Sequence, residues 1–373
     1  MGERRSLSNV GGPAAPAGDP GLARTLVRCL DVDTPERLPF THGFHAYPAR
    51  LHPEIARRAL EAFTASRVLD PFVGSGTTAV EAVRAGLEFT GVDVSKVALE
   101  IAWIRTRVLP PEKCRDVERA GARIAGRAGK AVQRDFTLPP WAERERAWYT
   151  PHTLREIVAL QDAIEEVPDP VLRRILVGVL SSVVVKLSKQ ATDSAAVPDR
   201  NFHPWRPGSA FRFFSDRSVE LTTALLRLSS DLYKRKVAFR EPALTCADAR
   251  TAKLEGTFDL VLSSPPYPGV YDYSRHQRRR LPLYGDDGSF AERHEIGARR
   301  DPRNYAVDLA KALANVPLAP GGRILLLIGD GTLDGKPAKA DAIVRAVPGF
   351  RVAASASQGR PGGRREHLML LTR

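Results

Sequence analysis

The chain has few cysteines and no long hydrophobic run. Only three of its 373 residues are cysteines, and no two of them form a Cys-x-x-Cys pair. A structural zinc site or a disulfide framework is therefore not expected. The most apolar stretch, residues 175–185, is shorter than the roughly 20 residues that cross a bilayer, so it predicts a buried helix. These absences favour an intracellular, cytoplasmic protein with no membrane partner and no metal.

The first residues also lack the apolar segment that signal peptides carry. Residues 1–20 are rich in Gly, Pro and Ala, a composition that predicts a disordered leader. Over the whole chain, the 43% hydrophobic content is sufficient for one large domain with an insertion, or for two domains.

Positive charge dominates the composition. The formal net charge is +13 and the isoelectric point is about 9.9. A polyanion such as nucleic acid is the first candidate for a partner of so basic a protein. An arginine-rich solvated surface with no such partner is the alternative.

Predicted strands alternate with helices on both sides of a central helical region. The predicted strands lie at 67–70, 88–93, 244–248, 258–263, 322–328, 350–354 and 367–371. This alternation predicts an α/β fold with a doubly wound, mostly parallel sheet, formed by residues 21–109 and 240–373. Residues 110–239 carry apolar stretches of helical period instead, and we interpret them as a helical insertion.

A glycine-rich turn follows the strand at 67–70. It reads Asp-Pro-Phe-Val-Gly-Ser-Gly-Thr from Asp70 to Thr77, and its glycines let a ligand approach the backbone at a helix N-terminus. Asp93 ends the next strand, where a carboxylate can hold both hydroxyls of a ribose. Residues 74–79 also fit the Gly-x-Gly-x-x-Ala form of a dinucleotide site. A plain tight turn without a ligand is the third interpretation.

Asp248 and the tetrapeptide Ser264-Pro265-Pro266-Tyr267 follow two later strands. In a doubly wound sheet they would share the crevice at the carboxyl ends of the strands with the glycine-rich turn. Asp248 can accept a hydrogen bond from an adenine amino group, or it can be a surface acid. The two prolines remove two backbone donors, which leaves carbonyls, a hydroxyl and an aromatic ring. Such a corner suits the exocyclic amine of a base, and strand termination alone is the alternative.

Together these motifs resemble the amino-methyltransferases of DNA, the family of N4-cytosine and N6-adenine methylases. That family carries an Asp-Pro-Phe-x-Gly-Ser-Gly-Thr cofactor turn and an [Asn/Asp/Ser]-Pro-Pro-[Tyr/Phe/Trp] catalytic tetrapeptide. A third match is Phe-His-Ala-Tyr-Pro-Ala-Arg at 44–50. The resemblance covers 40–105 and 240–373 and implies a seven-stranded type of methyltransferase sheet.

The resemblance implies S-adenosylmethionine as the methyl donor. Asp93 would hold its ribose and Asp248 its adenine. The other cofactor-binding candidates are Tyr47, Pro48, Ala49, Asp70, Phe72, Gly74, Gly76 and Thr77. At the catalytic corner, Ser264 and the Pro265 carbonyl would accept hydrogen bonds from the target amine. Tyr267 would stack on a base turned out of the duplex.

The resemblance also implies that the insertion reads DNA, because some members place their target-recognition region between the two motifs. Candidates for nucleic-acid contact in the insertion are Arg200, Asn201, Trp205 and Arg206. Candidates for phosphate contact after the catalytic corner are Arg275, Arg278, Arg279 and Arg280. A stabilising helical cap and a solvated basic face are the alternatives.

A serine at the first tetrapeptide position resembles the N4-cytosine enzymes, so N4 of cytosine in DNA is the predicted target. N6-adenine methylation and amino-methylation of RNA are the alternatives within the same chemistry. A nicotinamide-dependent oxidoreductase is the alternative of a different class. We further expect a nucleoid-associated monomer or weak dimer, with a cognate restriction endonuclease as a candidate partner.

Overall fold

The structure is a computed structural model. It describes residues 12–32, 38–47, 51–132, 137–191, 195, 197–298, 304–360 and 363–373. Its centre is an eight-stranded sheet. The strands of that sheet are β1 Ala15–Gly18, β2 Arg67–Asp70, β3 Glu88–Asp93, β4 Ala243–Cys246, β5 Phe258–Ser263, β6 Leu318–Gly329, β9 Arg351–Gly359 and β10 Arg365–Thr372. A separate hairpin consists of β7 Gly331–Leu333 and β8 Lys336–Ala338.

The strand order is β1-β9-β10-β6-β5-β2-β3-β4. Strands β6, β5, β2, β3 and β4 run parallel to one another, whereas β10 pairs antiparallel with both β6 and β9. The chain winds outward from β2 to β4 and then returns to place β5 on the other side of β2. This confirms the predicted α/β fold class and puts the topological switch point between β2 and β5, where ligands bind in such sheets.

Helices cover both faces of the sheet. They are α1 Pro20–Leu30, α2 Pro53–Ala62, α3 Thr77–Ala85, α4 Lys96–Arg105, α5 Pro111–Ala131, α6 Pro140–Glu145, α7 Pro151–Glu165, α8 Pro170–Leu187, α9 Ser209–Lys234, α10 Tyr273–His276, α11 Ser289–His294, α12 Tyr305–Ala314 and α13 Ala340–Arg345, with a 3₁₀ helix at Leu281–Tyr284. Strand β6 alternates between two cores, since Ile324 and Leu326 face α12 while Leu325 and Leu327 face α1 and α2. Such burial on both faces is expected of a central parallel strand. None of the described helices is long and apolar enough to cross a membrane.

The prediction of a disordered leader over 1–20 is wrong for its last residues. Strand β1 pairs antiparallel with β9, with Ala15 opposite Ser357. Asp19 then caps α1, because its Oδ1 atom accepts hydrogen bonds from the backbone of Gly21 and Leu22. The composition of this segment did not predict the strand, because the strand is stabilised by backbone hydrogen bonds to β9 at the other end of the chain. Residues 1–11 lie outside the described residues.

Helices α5 to α9 lie within the segment 110–239 and share one core. Helices α7, α8 and α9 overlap the apolar stretches of helical period at 154–166, 171–187 and 218–236, whereas α5 and α6 were not predicted. Helix α5 approaches α9 at a glycine, since a Cβ at Gly121 would lie 2.2 Å from Oγ of Ser218. The same core includes Phe44 and Ile104 from the sheet-forming part of the chain. The helical segment therefore packs directly against the region around the glycine-rich turn.

Candidate active site

Four parallel strands reach one edge of the sheet, and each brings a predicted site residue there. Asp70 ends β2, Asp93 ends β3, Asp248 follows β4 and Ser264 follows β5. A pocket at this edge gathers predicted residues from all parts of the site. They are Tyr47, Phe72, Gly74, Asp93, Asp248, Ser264 and Pro266.

A second pocket adjoins the first beneath the glycine-rich turn. The residues that line both pockets are Tyr47, Phe72, Gly74 and Ser264. Asp70 and Thr77 line the second pocket only. Pro48 and Ala49, predicted to contact the cofactor, lie outside the described residues. The two pockets together join the turn, the acids at the strand ends and the catalytic corner.

The two glycines of the turn have different roles. Both have positive φ, +50° at Gly74 and +82° at Gly76. A Cβ at Gly76 would lie 2.7 Å from Cβ of Ala102 on α4, so glycine is required there for helix packing. Gly74 lines both pockets, whereas Gly76 lines neither of these two. The structure thus places Gly76, predicted to contact the cofactor, behind the site.

Asp93 is held by backbone donors. Its Oδ2 accepts a hydrogen bond from N of Gly74, and its Oδ1 accepts one from N of Ser95, both at 2.8 Å. Burial nevertheless raises the pKa of Asp93 to about 6. Each carboxylate oxygen can accept a further hydrogen bond, so this side chain can hold two hydroxyl groups in the pocket.

Asp248 is engaged by two side chains that the sequence did not single out. Arg250 donates to its Oδ2 from Nη2 at 2.7 Å, and Nδ1 of His294 lies 3.0 Å from the same oxygen. Burial raises the pKa of Asp248, but the hydrogen bonds and charge of Arg250 outweigh it and the net pKa is lowered. Arg250 also pairs with Asp308 at 2.8 Å. The pocket wall near Asp248 is therefore a charged network and not a lone carboxylate.

The catalytic corner is fixed by hydrogen bonds on its outer side. The hydroxyl of Ser263 donates to Oδ1 of Asp70 at 2.6 Å, which ties the end of β5 to the end of β2. The Pro266 carbonyl accepts a hydrogen bond from the hydroxyl of Tyr305 at 2.8 Å. Pro265 is buried between the two anchors. Ser264 and Pro266 are thus presented to the pocket by a braced turn.

Tyr267 lies elsewhere than predicted. Tyr267 is 6% exposed and packs in the core between β6, β10 and α12. It is not among the residues that line the two pockets. Its ring packs on Gly329, where a Cβ would lie 2.5 Å from the ring. Its hydroxyl donates to Oε1 of Glu366, and the Ser264 side chain lies beside it. In this structure Tyr267 supports Ser264 from behind and has no face free to stack on a base.

Besides Phe72, the aromatic side chains that line the first pocket include Tyr47 and Tyr273. Their ring centroids are 6.5 Å apart and their planes differ by 22°. The backbone of Tyr273 is held by the carboxylate of Glu295, which also accepts the hydroxyl of Ser274 at 2.8 Å. Tyr273 lies in the stretch directly after the tetrapeptide, but its position in the pocket was not predicted.

The arginines after the corner divide into two groups. Arg280 is 5% exposed and donates to backbone oxygens of Ser181 and His276. Arg279 is mostly buried in an ion pair with Glu145. These two predicted phosphate contacts are wrong in this structure, because both guanidinium groups are committed to the protein interior. Arg275 and Arg278 are exposed.

The predicted contact residues in the insertion are also of two kinds. Arg200, Asn201 and Arg206 are exposed. Trp205 is half-buried, donates from Nε1 to the carbonyl of Lys186 at 3.0 Å and packs edge-on against Phe213. Its position fits a residue that holds the loop onto α8 and α9, so stacking of Trp205 on a base is not supported.

A buried arginine joins the match at 44–50 to the glycine-rich turn. Arg105 is fully buried and donates to the carbonyls of Phe44 and His45 and to the carbonyl and hydroxyl of Ser75. His45 has φ of +68°, and its Nε2 lies 3.0 Å from the hydroxyl of Ser181 on α8. Sequence reasoning missed this network, since an arginine in an apolar helix gives no sign of its partners.

Parts of the chain are similar in sequence to known methyltransferases. A family model described as DNA methylase, of the N6 and N4 type, matches residues 31–103. The chain is 23% identical over 258 residues to the type II methyltransferase M.MvaI of Kocuria varians, covering 64% of this chain and 55% of that protein. It is 29% identical over 84 residues to the type II methyltransferase M.MjaII of Methanocaldococcus jannaschii, covering 22% of this chain and 16% of that protein. The chain thus spans about half the length, or less, of these curated relatives.

Two solved methyltransferase structures are distant matches. TrmN from Thermus thermophilus is 16% identical with a TM-score of 0.32, covering 87% of this chain and 49% of that one. The rRNA methyltransferase aviRa from Streptomyces viridochromogenes is 14% identical with a TM-score of 0.39, covering 88% of both chains.

Proposed function

We propose that this chain is a DNA methylase of the N6/N4 type, to which it is similar in sequence, and that it methylates an exocyclic amine of a base in DNA. The proposed methyl donor is S-adenosylmethionine and the proposed target is N4 of cytosine. The observation that carries the proposal is the shared pocket edge, where Ser264 and Pro266 face Asp93 across the glycine-rich turn. A base amine at that corner would therefore lie beside a bound nucleoside.

The pocket residues fit the proposed cofactor. Glycine at 74 leaves its backbone open to a ligand, with Tyr47 as the nearest wall at 3.5 Å from a Cβ built there. The carboxylate of Asp93 can accept two ribose hydroxyls while it keeps its backbone donors. Asp248 with Arg250 offers a polar edge for the base of the nucleoside. S-adenosylmethionine, when bound, supplies an electrophilic methyl group on a sulfonium centre.

The residues of the catalytic corner orient the target amine. Tyr267 donates its hydroxyl proton to Glu366, so a lone pair of its oxygen can accept the proton of the neighbouring Ser264 hydroxyl. The Ser264 oxygen then presents its lone pairs to the pocket as an acceptor for an N–H of the base. This geometry favours a pyramidal nitrogen whose lone pair points away from the corner. We expect the rate gain to come mainly from this orientation.

We propose that the insertion recognises the DNA target, because it has exposed polar side chains and because one of its helices contacts the cofactor side of the site. Arg200, Asn201 and Arg206 are exposed on its loop, and Arg275 is exposed after the corner, where each can meet phosphates or base edges. Helix α8 of the insertion contacts the cofactor side through Ser181 and His45. Binding of DNA to the insertion can therefore change the position of the segment that leads to Tyr47.

Incubation of the full chain with duplex DNA and tritiated S-adenosylmethionine tests the proposal. We expect labelled DNA whose digested nucleosides contain N4-methylcytosine. Label in N6-methyladenine would overturn the choice of cytosine, and label only in a structured RNA substrate would overturn the choice of DNA. Absence of label from both polymers, together with tight NAD binding, would replace the methyltransferase by an oxidoreductase.

Cofactor binding should depend on the protonation of Asp93. Its pKa of about 6 means that the carboxylate is mostly ionised at pH 7 and mostly protonated at pH 5. A protonated carboxyl group loses acceptor capacity, so affinity for S-adenosylmethionine should fall about tenfold over that interval. Isothermal titration calorimetry at both pH values measures the change.

The variant Asp93→Asn is the control for this pH dependence. It should bind weakly at pH 7 and lose most of the tenfold change. Any pH dependence of affinity that remains in this variant would come from Asp70, because burial also raises the pKa of Asp70 to about 6. Equal wild-type affinity at pH 5 and pH 7 would contradict the assignment of the ribose to Asp93.

A further inference from the structure

We propose that Asp330, Asp341 and His367 form a binding site for one divalent transition-metal ion. The residues come from three separate elements, because Asp330 follows β6, Asp341 lies in the first turn of α13 and His367 lies in β10. One ligand atom from each residue lies within 4.8 Å of the other two. Cysteine spacing could not predict this site, since its ligands are two carboxylates and an imidazole brought together by the sheet.

His367 supplies the observation that points to a ligand. The residue is 6% exposed, and its Nε2 has no hydrogen-bond partner among the described residues. That atom lies 3.5 Å from Oδ1 of Asp330. Two ligands bound at about 2.1 Å in tetrahedral geometry stand about 3.4 Å apart. The imidazole and the first carboxylate are thus already separated as two ligands of one ion would be.

The charged groups around the site are compatible with a bound cation. Among the described residues, no Lys or Arg side chain forms an ion pair with Asp330 or Asp341, although the chain has a net charge of +13. Backbone N–H groups of Ala340 and Arg365 donate to Oδ1 and Oδ2 of Asp330 at 2.9 and 3.0 Å. These bonds orient the carboxylate and leave each oxygen a further lone pair. Two carboxylates and a neutral imidazole neutralise a divalent ion and suit Zn²⁺ or Mn²⁺.

A bound ion would fasten the segment behind the catalytic corner. Gly331, next to Asp330, packs on Pro268, and a Cβ there would lie 1.9 Å from the Pro268 carbonyl oxygen. The backbone of Thr332 donates to the same carbonyl at 2.8 Å. The ion would tie β6, β10 and α13 together at the point where they support the turn. Metal binding itself does not depend on the proposed methyl transfer.

Titration of the chelator-treated full chain with Zn²⁺, and separately with Mn²⁺, tests the site by calorimetry. We expect one ion per chain for at least one metal, with a higher thermal midpoint in its presence. Asp341→Asn and His367→Gln should each weaken binding at least tenfold and remove the thermal shift. Asp341 is partly exposed on its helix, so its variant should fold even where the histidine variant does not.

Two control variants separate this site from other metal ligands. Asp334→Asn makes the same change at an exposed neighbour and should bind as the wild type does. Cys246→Ser removes the exposed thiol that can also bind Zn²⁺. Absence of binding at millimolar metal would overturn the proposal and assign His367 to a simple ion pair with Asp330. Wild-type affinity in both ligand variants would overturn it as well.

Discussion

Replacement of Ser264 by alanine should lower the rate of methyl transfer by at least about 100-fold and leave S-adenosylmethionine affinity within about threefold of wild type. Ser264 lines both pockets, and the lone pairs of its hydroxyl are the proposed acceptor for the target amine. Its loss removes an interaction that orients the reacting nitrogen, whereas Asp93 and Gly74 remain in place for the cofactor. Single-turnover transfer to duplex DNA and calorimetric cofactor binding measure the two quantities separately.

A substitution at Tyr267 tests how the Ser264 hydroxyl is oriented. Tyr267→Phe keeps the buried ring but removes the hydroxyl that donates to Glu366 and that we propose as the acceptor of the Ser264 proton. The Ser264 hydroxyl is then free to rotate, so we expect an intermediate loss of about tenfold in the transfer rate. If Tyr267 stacked on the base instead, the phenylalanine variant would retain nearly full activity.

The control for hydroxyl removal is Ser230→Ala on the exposed side of α9. This variant should transfer methyl groups at the wild-type rate. An Ser264→Ala protein with wild-type activity would contradict the proposed role of the corner. A parallel loss of cofactor affinity would instead assign Ser264 to cofactor binding.

Replacement of Arg105 by alanine should lower the free energy of unfolding by on the order of 3–5 kcal/mol. Arg105 is fully buried, and its guanidinium donates to carbonyls of Phe44, His45 and Ser75. Removal leaves several carbonyls without a donor and a cavity the size of the side chain. Urea unfolding followed by circular dichroism measures the change.

The same substitution should weaken cofactor binding, because Arg105 connects the segment before Tyr47 to the glycine-rich turn. Arg105→Lys should recover only part of both losses, since one ammonium group cannot reproduce the fork of donors. Arg119→Ala provides the control. That side chain is 59% exposed and pairs with Asp116 one turn away, so its loss should change stability by less than about 0.5 kcal/mol. A stability loss that small in Arg105→Ala would contradict the bracing role.

Local chemistry made the central fold and the strand-end residues predictable. Apolar runs that end at Asp70, Asp93 and Ser264 are set by neighbouring residues in the chain, and the observed strands end at or beside these positions. Parallel strands bring their carboxyl ends to one edge, so the shared pocket followed from the strand assignment. Helix α5 was missed although its buried residues Val117, Gly121 and Ile124 recur at helical spacing.

The direction of individual side chains could not be predicted in the same way. Tyr267 and Arg280 carry groups typical of a binding site, yet both point into the core, where Glu366 and Ser181 accept their hydrogen bonds. Arg105, in contrast, lies in an apolar helix and gave no sign of its role. A side chain's partner is set by whichever element packs against it, and that element can lie anywhere in the chain.

The sequence by itself determined the α/β sheet, the glycine-rich turn and the corner at Ser264, because each depends on backbone preferences of adjacent residues. Only the tertiary structure decided that Tyr273 lines the pocket, that β1 joins β9 and that Asp330 meets His367. These outcomes depend on contacts between distant segments. Burial and hydrogen bonding at such contacts are properties of the packed molecule and leave no local pattern in the chain.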